Sequence, residues 1–177
     1  MYKDGSNIVF PIIQGEYHVS DDPEVVLSTV LGSCVAVCMY DPVTRIGGMN
    51  HFLLPGNDPR NNDSVKYGVH LIELLTNALM RKGVQRNSLQ VKLLGGANSR
   101  KGFGAIGTKN AKFARERIKG DGFNLVFEDL GGDLGRRVRY VPVNGGIQVQ
   151  KFPLEQIPPL PEGSPSLNVR FGNVELF

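Results

Sequence analysis

Residues Leu31-Gly32-Ser33-Cys34-Val35-Ala36-Val37-Cys38-Met39-Tyr40 set a sharp break directly against an apolar run. Gly32 allows a backbone that other residues resist. Val35 to Tyr40 has the length and composition of a buried strand, and Asp41-Pro42 stops it. Upstream, Val25 to Val30 reads as the strand that enters the break, after the turn signal Asp21-Asp22-Pro23. Ile8 to Ile13 and Glu16 to Ser20 read as short strands around Gly15, and residues 1 to 7 as a loose start. Downstream, Ile46 to Leu54 is a further strand, ended by Pro55-Gly56 and a polar loop from Asn57 to Asp63.

Ser64 to Lys82 changes period. Val65, Val69, Ile72, Leu75, Ala78 and Leu79 share one helix face, while Lys66, His70, Glu73, Asn77 and Arg81 line the other. Gly83 ends this helix. Gln90 to Leu94 reads as a strand running into Gly95-Gly96-Ala97, and Thr108 to Lys119 as a second helix capped at its start and closed by Gly120. Asn124 to Asp129, Arg137 to Val141 and Ile147 to Phe152 complete the strands, with turns at Gly131-Gly132 and Asn144-Gly145-Gly146. Strands, helix, strand, helix and strands again imply an α+β fold, a mixed α/β sandwich in which β-sheets are covered by two main helices. Pro153, Pro158, Pro159, Pro161 and Pro165 then crowd the chain. The expected organisation is one domain over residues 1–152 and an extended Pro-rich tail over 153–177.

Composition narrows the function classes. The chain has 177 residues, 41% hydrophobic and 21% charged, enough for a core that needs no disulfide or metal. No apolar run approaches the roughly 20 residues that span a bilayer. The N-terminus lacks the layout of a signal peptide, so a cytoplasmic protein without membrane insertion is expected. Net charge is only +3, and the denser basic stretch at Arg136, Arg137 and Arg139 has no interleaved aromatics, which argues against a nucleic-acid partner. Cys34 and Cys38 on one strand would lie about 13 Å apart at about 3.3 Å per residue, beyond the reach of a disulfide. The two thiols and three histidines are not clustered as zinc ligands are. The Gly95 to Gly107 segment lacks both the dinucleotide fingerprint and the P-loop lysine. No metal and no cofactor are expected.

The chemistry-bearing residues are Cys34 and His51. A cysteine at the corner between a turn and a strand can be presented to a substrate, with backbone N–H groups converging on an oxyanion. Its reactive form is the thiolate, so it needs a base. His51 lies seventeen positions on, in an otherwise apolar strand that can run beside the first. From these two residues alone, a packed core cysteine and a hydrogen-bonded core histidine are the simpler account. Cys38, on the strand face of Cys34, reads as core. His70 reads as solvated, and His18 has no evident partner.

The wider pattern resembles the CheD family of chemoreceptor glutamine deamidases. It is carried by Leu31-Gly32-Ser33-Cys34-Val35-Ala36-Val37 and Gly48-Met49-Asn50-His51-Phe52-Leu53-Leu54-Pro55. In the same order follow Tyr67-Gly68, Lys92-Leu93-Leu94-Gly95-Gly96-Ala97, Ile106-Gly107-Thr108-Lys109-Asn110, and Asp129-Leu130-Gly131-Gly132 with Arg136-Arg137-Val138. The resemblance spans residues 15 to 152. It implies a nucleophile at Cys34, a base at His51 and a third residue at the family's threonine. That threonine lies six positions before the cysteine, where this chain has Ser28. Thr29 is the rival, but successive strand side chains face opposite ways, so Ser28 is expected to orient the imidazole. Asn50 would either add a donor or point away.

The implied reaction is attack of Cys34 on a glutamine side-chain amide, release of ammonia, and hydrolysis of the thioester to glutamate. A glutamyl methyl ester would give the same acyl-enzyme. The implied substrate is the methyl-accepting region of bacterial chemoreceptors, and some family members also bind the phosphatase CheC. Alternatives are a non-catalytic adaptor binding receptors or CheC, a thiol redox sensor, and a general cysteine protease. The final Asn173-Val174-Glu175-Leu176-Phe177 resembles the receptor tethering pentapeptide Asn-Trp-Glu-Thr-Phe at three positions, few enough for coincidence.

Overall fold

Strand β4 (Val25–Leu31) enters the Gly32–Cys34 break and β5 (Val35–Asp41) leaves it, yet the two belong to different sheets. The break is the point where the chain crosses from one layer to the next. The computed structural model describes residues 1–54, 63–98 and 105–156. Among these, β1 (Tyr2–Asp4), β2 (Asn7–Pro11), β4, β9 (Leu134–Val141) and β10 (Gly146–Pro153) form one sheet in the order β1-β2-β4-β9-β10. The other contains β3 (Tyr17–Ser20), β6 (Ile46–Phe52), β5, β7 (Gln90–Gly95) and β8 (Asn124–Leu130), in the order β3-β6-β5-β7-β8. Helix α1 (Asp63–Arg81) lies over β3 and β6, and α2 (Ile106–Gly120) over β5, β7 and β8. This is the α+β sandwich read from the sequence, with both helices on one face of the second sheet.

Strand alternation distributes the apolar residues between two layers. On β5, Ala36 and Cys38 face the other sheet, where they meet Leu27, Leu31, Val138 and Tyr140, with Met49 of their own sheet beside them. Val35, Val37 and Met39 face the helices and meet Ile72, Leu75, Leu79, Ala114 and Ile118. Being covered on both sides, β5 reads as a continuous apolar run rather than an alternating one. Tyr140 ties the layers together: its hydroxyl donates to the Met39 carbonyl at 2.7 Å.

The structure departs from expectation at three boundaries. Tyr2–Asp4 is a strand paired antiparallel with β2, not a loose start; Gly5, at φ +62°, turns the hairpin. Helix α2 starts at Ile106, two residues before Thr108, and Asn98 caps it from outside. The Asn98 side-chain Oδ1 accepts from the Thr108 N–H at 3.2 Å, and its Nδ2 donates to the Thr108 hydroxyl at 2.8 Å. The fold also continues past residue 152, through Pro153 of β10 and a 3-10 turn at Leu154–Gln156, with Leu154 lying against Gly32. The tail from 157 onward, including the terminal pentapeptide, lies outside the described residues, as do residues 55–62, where a polar loop was expected, and 99–104. No described helix is long and apolar enough to cross a membrane.

Candidate active site

Strands β5 and β6 pair antiparallel with Ala36 opposite His51. Met49, two residues before His51, faces the space between the sheets, so strand alternation turns His51 into that same space. Cys34 packs against this inter-sheet layer too, two residues ahead of Ala36 and diagonally across from His51. From the opposite sheet, β4 turns Leu27, Thr29 and Leu31 toward the same layer. Cysteine and histidine thus come from one sheet and a hydroxyl from the other.

The hydrogen bonds at His51 define its tautomer. Its Nδ1 lies 2.9 Å from Thr29 Oγ1 and 3.1 Å from the Ile12 carbonyl oxygen. Thr29 Oγ1 is itself 2.7 Å from that carbonyl. A carbonyl only accepts, so the threonine hydroxyl donates to Ile12 and its oxygen is left to accept. Nδ1 therefore carries the proton, which leaves a lone pair on Nε2. That Nε2 is buried and has no partner among the described residues. Burial holds the imidazole below the ordinary histidine range, opposed by the Ile12 carbonyl. The result is a neutral, oriented base. Its backbone is fixed as well: the N–H donates to Glu16 at 3.0 Å and the carbonyl accepts from Gly15 at 2.8 Å.

Cys34 is a free, half-buried thiol. Burial raises its pKa to about 11, against a smaller lowering by its own backbone N–H. No hydrogen bond joins Cys34 to His51 in this structure. Tyr67 of α1 closes one side of the site. A Cβ placed on Gly15, which sits at φ +91°, would come within 2.6 Å of the Tyr67 hydroxyl. Burial raises the Tyr67 pKa, and the neighbouring Cys34 adds to the effect.

A family model described as CheD chemotactic sensory transduction matches residues 53–151. A probable chemoreceptor glutamine deamidase CheD of Agrobacterium fabrum is 44% identical over 166 residues, covering 89% of this chain and 92% of that protein. This chain belongs to the CheD family. A CheD of the same printed name from Rhizobium etli is 43% identical over 183 residues, covering 97% of this chain and all of its own 100%. The family-model match begins after His51, but relatives covering 89% or more of a 177-residue chain necessarily span Cys34 and His51. Among solved structures, a Neisseria meningitidis protein of the DUF152 family aligns over 66% of this chain and 53% of its own, at 16% identity and a TM-score of 0.42.

In this CheD, Thr29 and not Ser28 meets His51. Ser28 lies on the outer face of its sheet, half-buried between Pro11 and Arg139, and its carbonyl accepts from the Ile12 N–H at 2.7 Å. Counting back from Cys34 fails because Gly32 and Ser33 belong to neither strand. Face alternation does not carry through a break that changes sheets. Asn50 points away from the site: its side-chain Oδ1 accepts from Val37 N–H at 3.1 Å and its Nδ2 donates to the Leu71 carbonyl at 3.1 Å, tying α1 to the sheet. Cys38 is core, at 1% exposure. His18 stacks on Phe10 at 4.5 Å, and His70 is exposed. Among the described residues no group of side chains could hold a metal ion.

The Cys34 turn is held by its carbonyls. Gly96 N–H donates to Cys34 at 2.7 Å and Ala97 N–H to Gly32 at 2.9 Å. The third carbonyl, of Ser33, accepts at 2.9 Å from the side-chain amide of Asn110, which is wholly buried on α2. Sequence reading passed over both Ile12, whose contribution is a backbone atom, and Asn110. The signal for Asn110 was its place in the segment Ile106-Gly107-Thr108-Lys109-Asn110.

Proposed function

We propose that this CheD protein deamidates glutamine side chains of chemoreceptors through a thioester on Cys34. The supporting observation is His51: neutral, held by Thr29 and Ile12, with its Nε2 lone pair unpartnered on the face that Cys34 occupies. As the Cys34 sulfur attacks the amide carbon, Nε2 takes the thiol proton; the imidazolium then gives it to the departing ammonia. Water, activated by the same nitrogen, cleaves the thioester and leaves glutamate. A glutamyl methyl ester would enter the same acyl-enzyme and lose methanol instead. Thr29 is the positioning residue, and the protein acts in the cytoplasm, where the receptor substrate helices lie.

The test is mass spectrometry of a chemoreceptor cytoplasmic fragment incubated with the protein or with its Cys34→Ala variant. Replacing NH₂ by OH adds about 1 Da per modified glutamine. The expected result is this gain at specific glutamines with the wild type alone. A folded, receptor-binding wild type that produces no gain would replace the deamidase reading with that of an adaptor.

Thr29 and Ser28 make separate predictions. Thr29→Val removes the hydroxyl that accepts from Nδ1, and kcat should fall roughly 10- to 100-fold, as for loss of a group that only orients the base. Thr29→Ser should recover most of the rate. Ser28→Ala should stay within about twofold, since surface hydroxyls away from such features matter little. Initial rates of ammonia release distinguish the three variants.

A further inference from the structure

The peptide joining Ser33 to Cys34 is held at one end only by a side chain from another element. Asn110 is completely buried, and its two polar ends reach two separate segments of the chain. Its Nδ2 donates to the Ser33 carbonyl at 2.9 Å, and its Oδ1 accepts from the Leu54 N–H at 2.8 Å. Ser33 immediately precedes Cys34, and Leu54 lies three residues beyond His51. One amide therefore fastens the nucleophile turn to the chain leaving the base.

A trans peptide is planar, with its C=O and N–H pointing in opposite directions. Fixing the Ser33 carbonyl against Asn110 thus fixes where the Cys34 N–H points. No backbone hydrogen bond among the described residues takes that N–H. It lies on the nucleophile itself, so a tetrahedral adduct on the sulfur develops its oxyanion close by. The α2 end of the clasp is equally constrained: a Cβ on Gly107 would strike the carbonyls of Gly96 and Ala97, and one on Gly96 would meet Ala111 at 2.8 Å. The helix carrying Asn110 is locked to the same turn.

We propose that Asn110 is a positioning residue that aims the Cys34 N–H at the oxyanion of the tetrahedral intermediate. This rests on the thioester mechanism above. It goes further by assigning the electrostatic half of that mechanism to an α2 side chain that never touches substrate.

The experiment compares two reactions of Cys34 in wild type, Asn110→Ala and Asn110→Asp. Asn110→Asp keeps an acceptor for Leu54 and loses the donor to Ser33, and it serves if the alanine variant does not fold. Deamidation of the receptor fragment passes through an oxyanion, whereas alkylation by iodoacetamide is a direct displacement at carbon and forms none. The expected result is a fall in kcat of about tenfold or more, below the 10²- to 10³-fold loss of a whole oxyanion donor. KM and the alkylation rate should stay within about threefold, since neither depends on transition-state oxyanion binding. An unchanged kcat, or equal falls in deamidation and alkylation, would overturn the assignment while leaving the wild-type reaction and the roles of Cys34 and His51 intact. A wild type without deamidation would instead overturn the mechanism itself, and this proposal with it.

Discussion

Replacing His51 by glutamine is expected to slow deamidation about a thousandfold without disturbing receptor binding. Burial raises Cys34 to about 11, so at pH 7 only about one thiol in 10⁴ would be ionised without a base. In the proposed mechanism, catalysis at neutral pH then depends on Nε2 removing the proton during attack. The pH dependence provides a second signature. Burial disfavours the imidazolium and lowers the His51 pKa below 6.5, so the neutral base persists on the acid side of the ordinary histidine range. The wild-type kcat/KM should be flat around neutrality and fall with acid only below 6.5. In His51→Gln that limb disappears. The residual rate should rise about tenfold per pH unit, tracking the thiolate. Linkage has the same sign: the unfolded chain takes up the histidine proton more readily than the folded one, so this group costs stability as pH falls through 6.5. Rate profiles between about pH 5 and 9, with urea midpoints alongside, check both statements. A glutamine variant that retained the wild-type rate and acid limb would remove His51 from the mechanism.

The second large effect concerns Gly95, the last residue of β7. It adopts φ +112°, where side chains are strained, and an added Cβ would be driven into the carbonyl oxygen and carbon of Cys34. Those are backbone atoms and cannot swing aside. Gly95→Ala is therefore expected to cost about 3 kcal/mol or more, the backbone strain adding to the collision. In a domain of this size that lowers the melting temperature by roughly 10 °C. Activity should be lost even where the variant remains folded, because relief of the clash comes only from moving the Cys34 turn. Gly122→Ala is the control. It also has positive φ, at +74°, but nothing lies within 4 Å of its Cβ position, so it should lose only about 1 kcal/mol and keep its activity.

Most of the fold was legible because burial leaves periodic marks. The run from Val35 to Tyr40 announced a strand covered on both faces, and the three-and-four spacing from Ile72 to Leu79 announced a helix over it. What escaped the sequence was long-range or carried by the backbone. Tyr2–Asp4 has no buried face, so β1 showed no apolar pattern, and only its pairing with β2 reveals it. The cap of α2 comes from Asn98, ten positions before Thr108, rather than from the residue beside the helix. Cys34 and His51 could be paired by strand spacing because β5 and β6 are neighbours in one sheet. Thr29 could not, since its meeting with His51 crosses from one sheet to the other. Asn110 is 77 positions from Ser33, and no local rule connects them.

One acceptor at this site belongs to no side chain. The proton on His51 Nδ1 and the hydroxyl of Thr29 both converge on the carbonyl of Ile12. Every amino acid brings the same carbonyl, so a point mutation at position 12 can alter packing but cannot delete the acceptor. Its availability is encoded instead by the parallel register of β2 and β4, in which Pro11 lies beside Ser28. Genetic drift at that codon is therefore tolerated in a way that insertion or deletion of one residue within β4 is not, because a shift of one turns Thr29 to the opposite face. Indels there would leave every reactive side chain in the protein and still silence it.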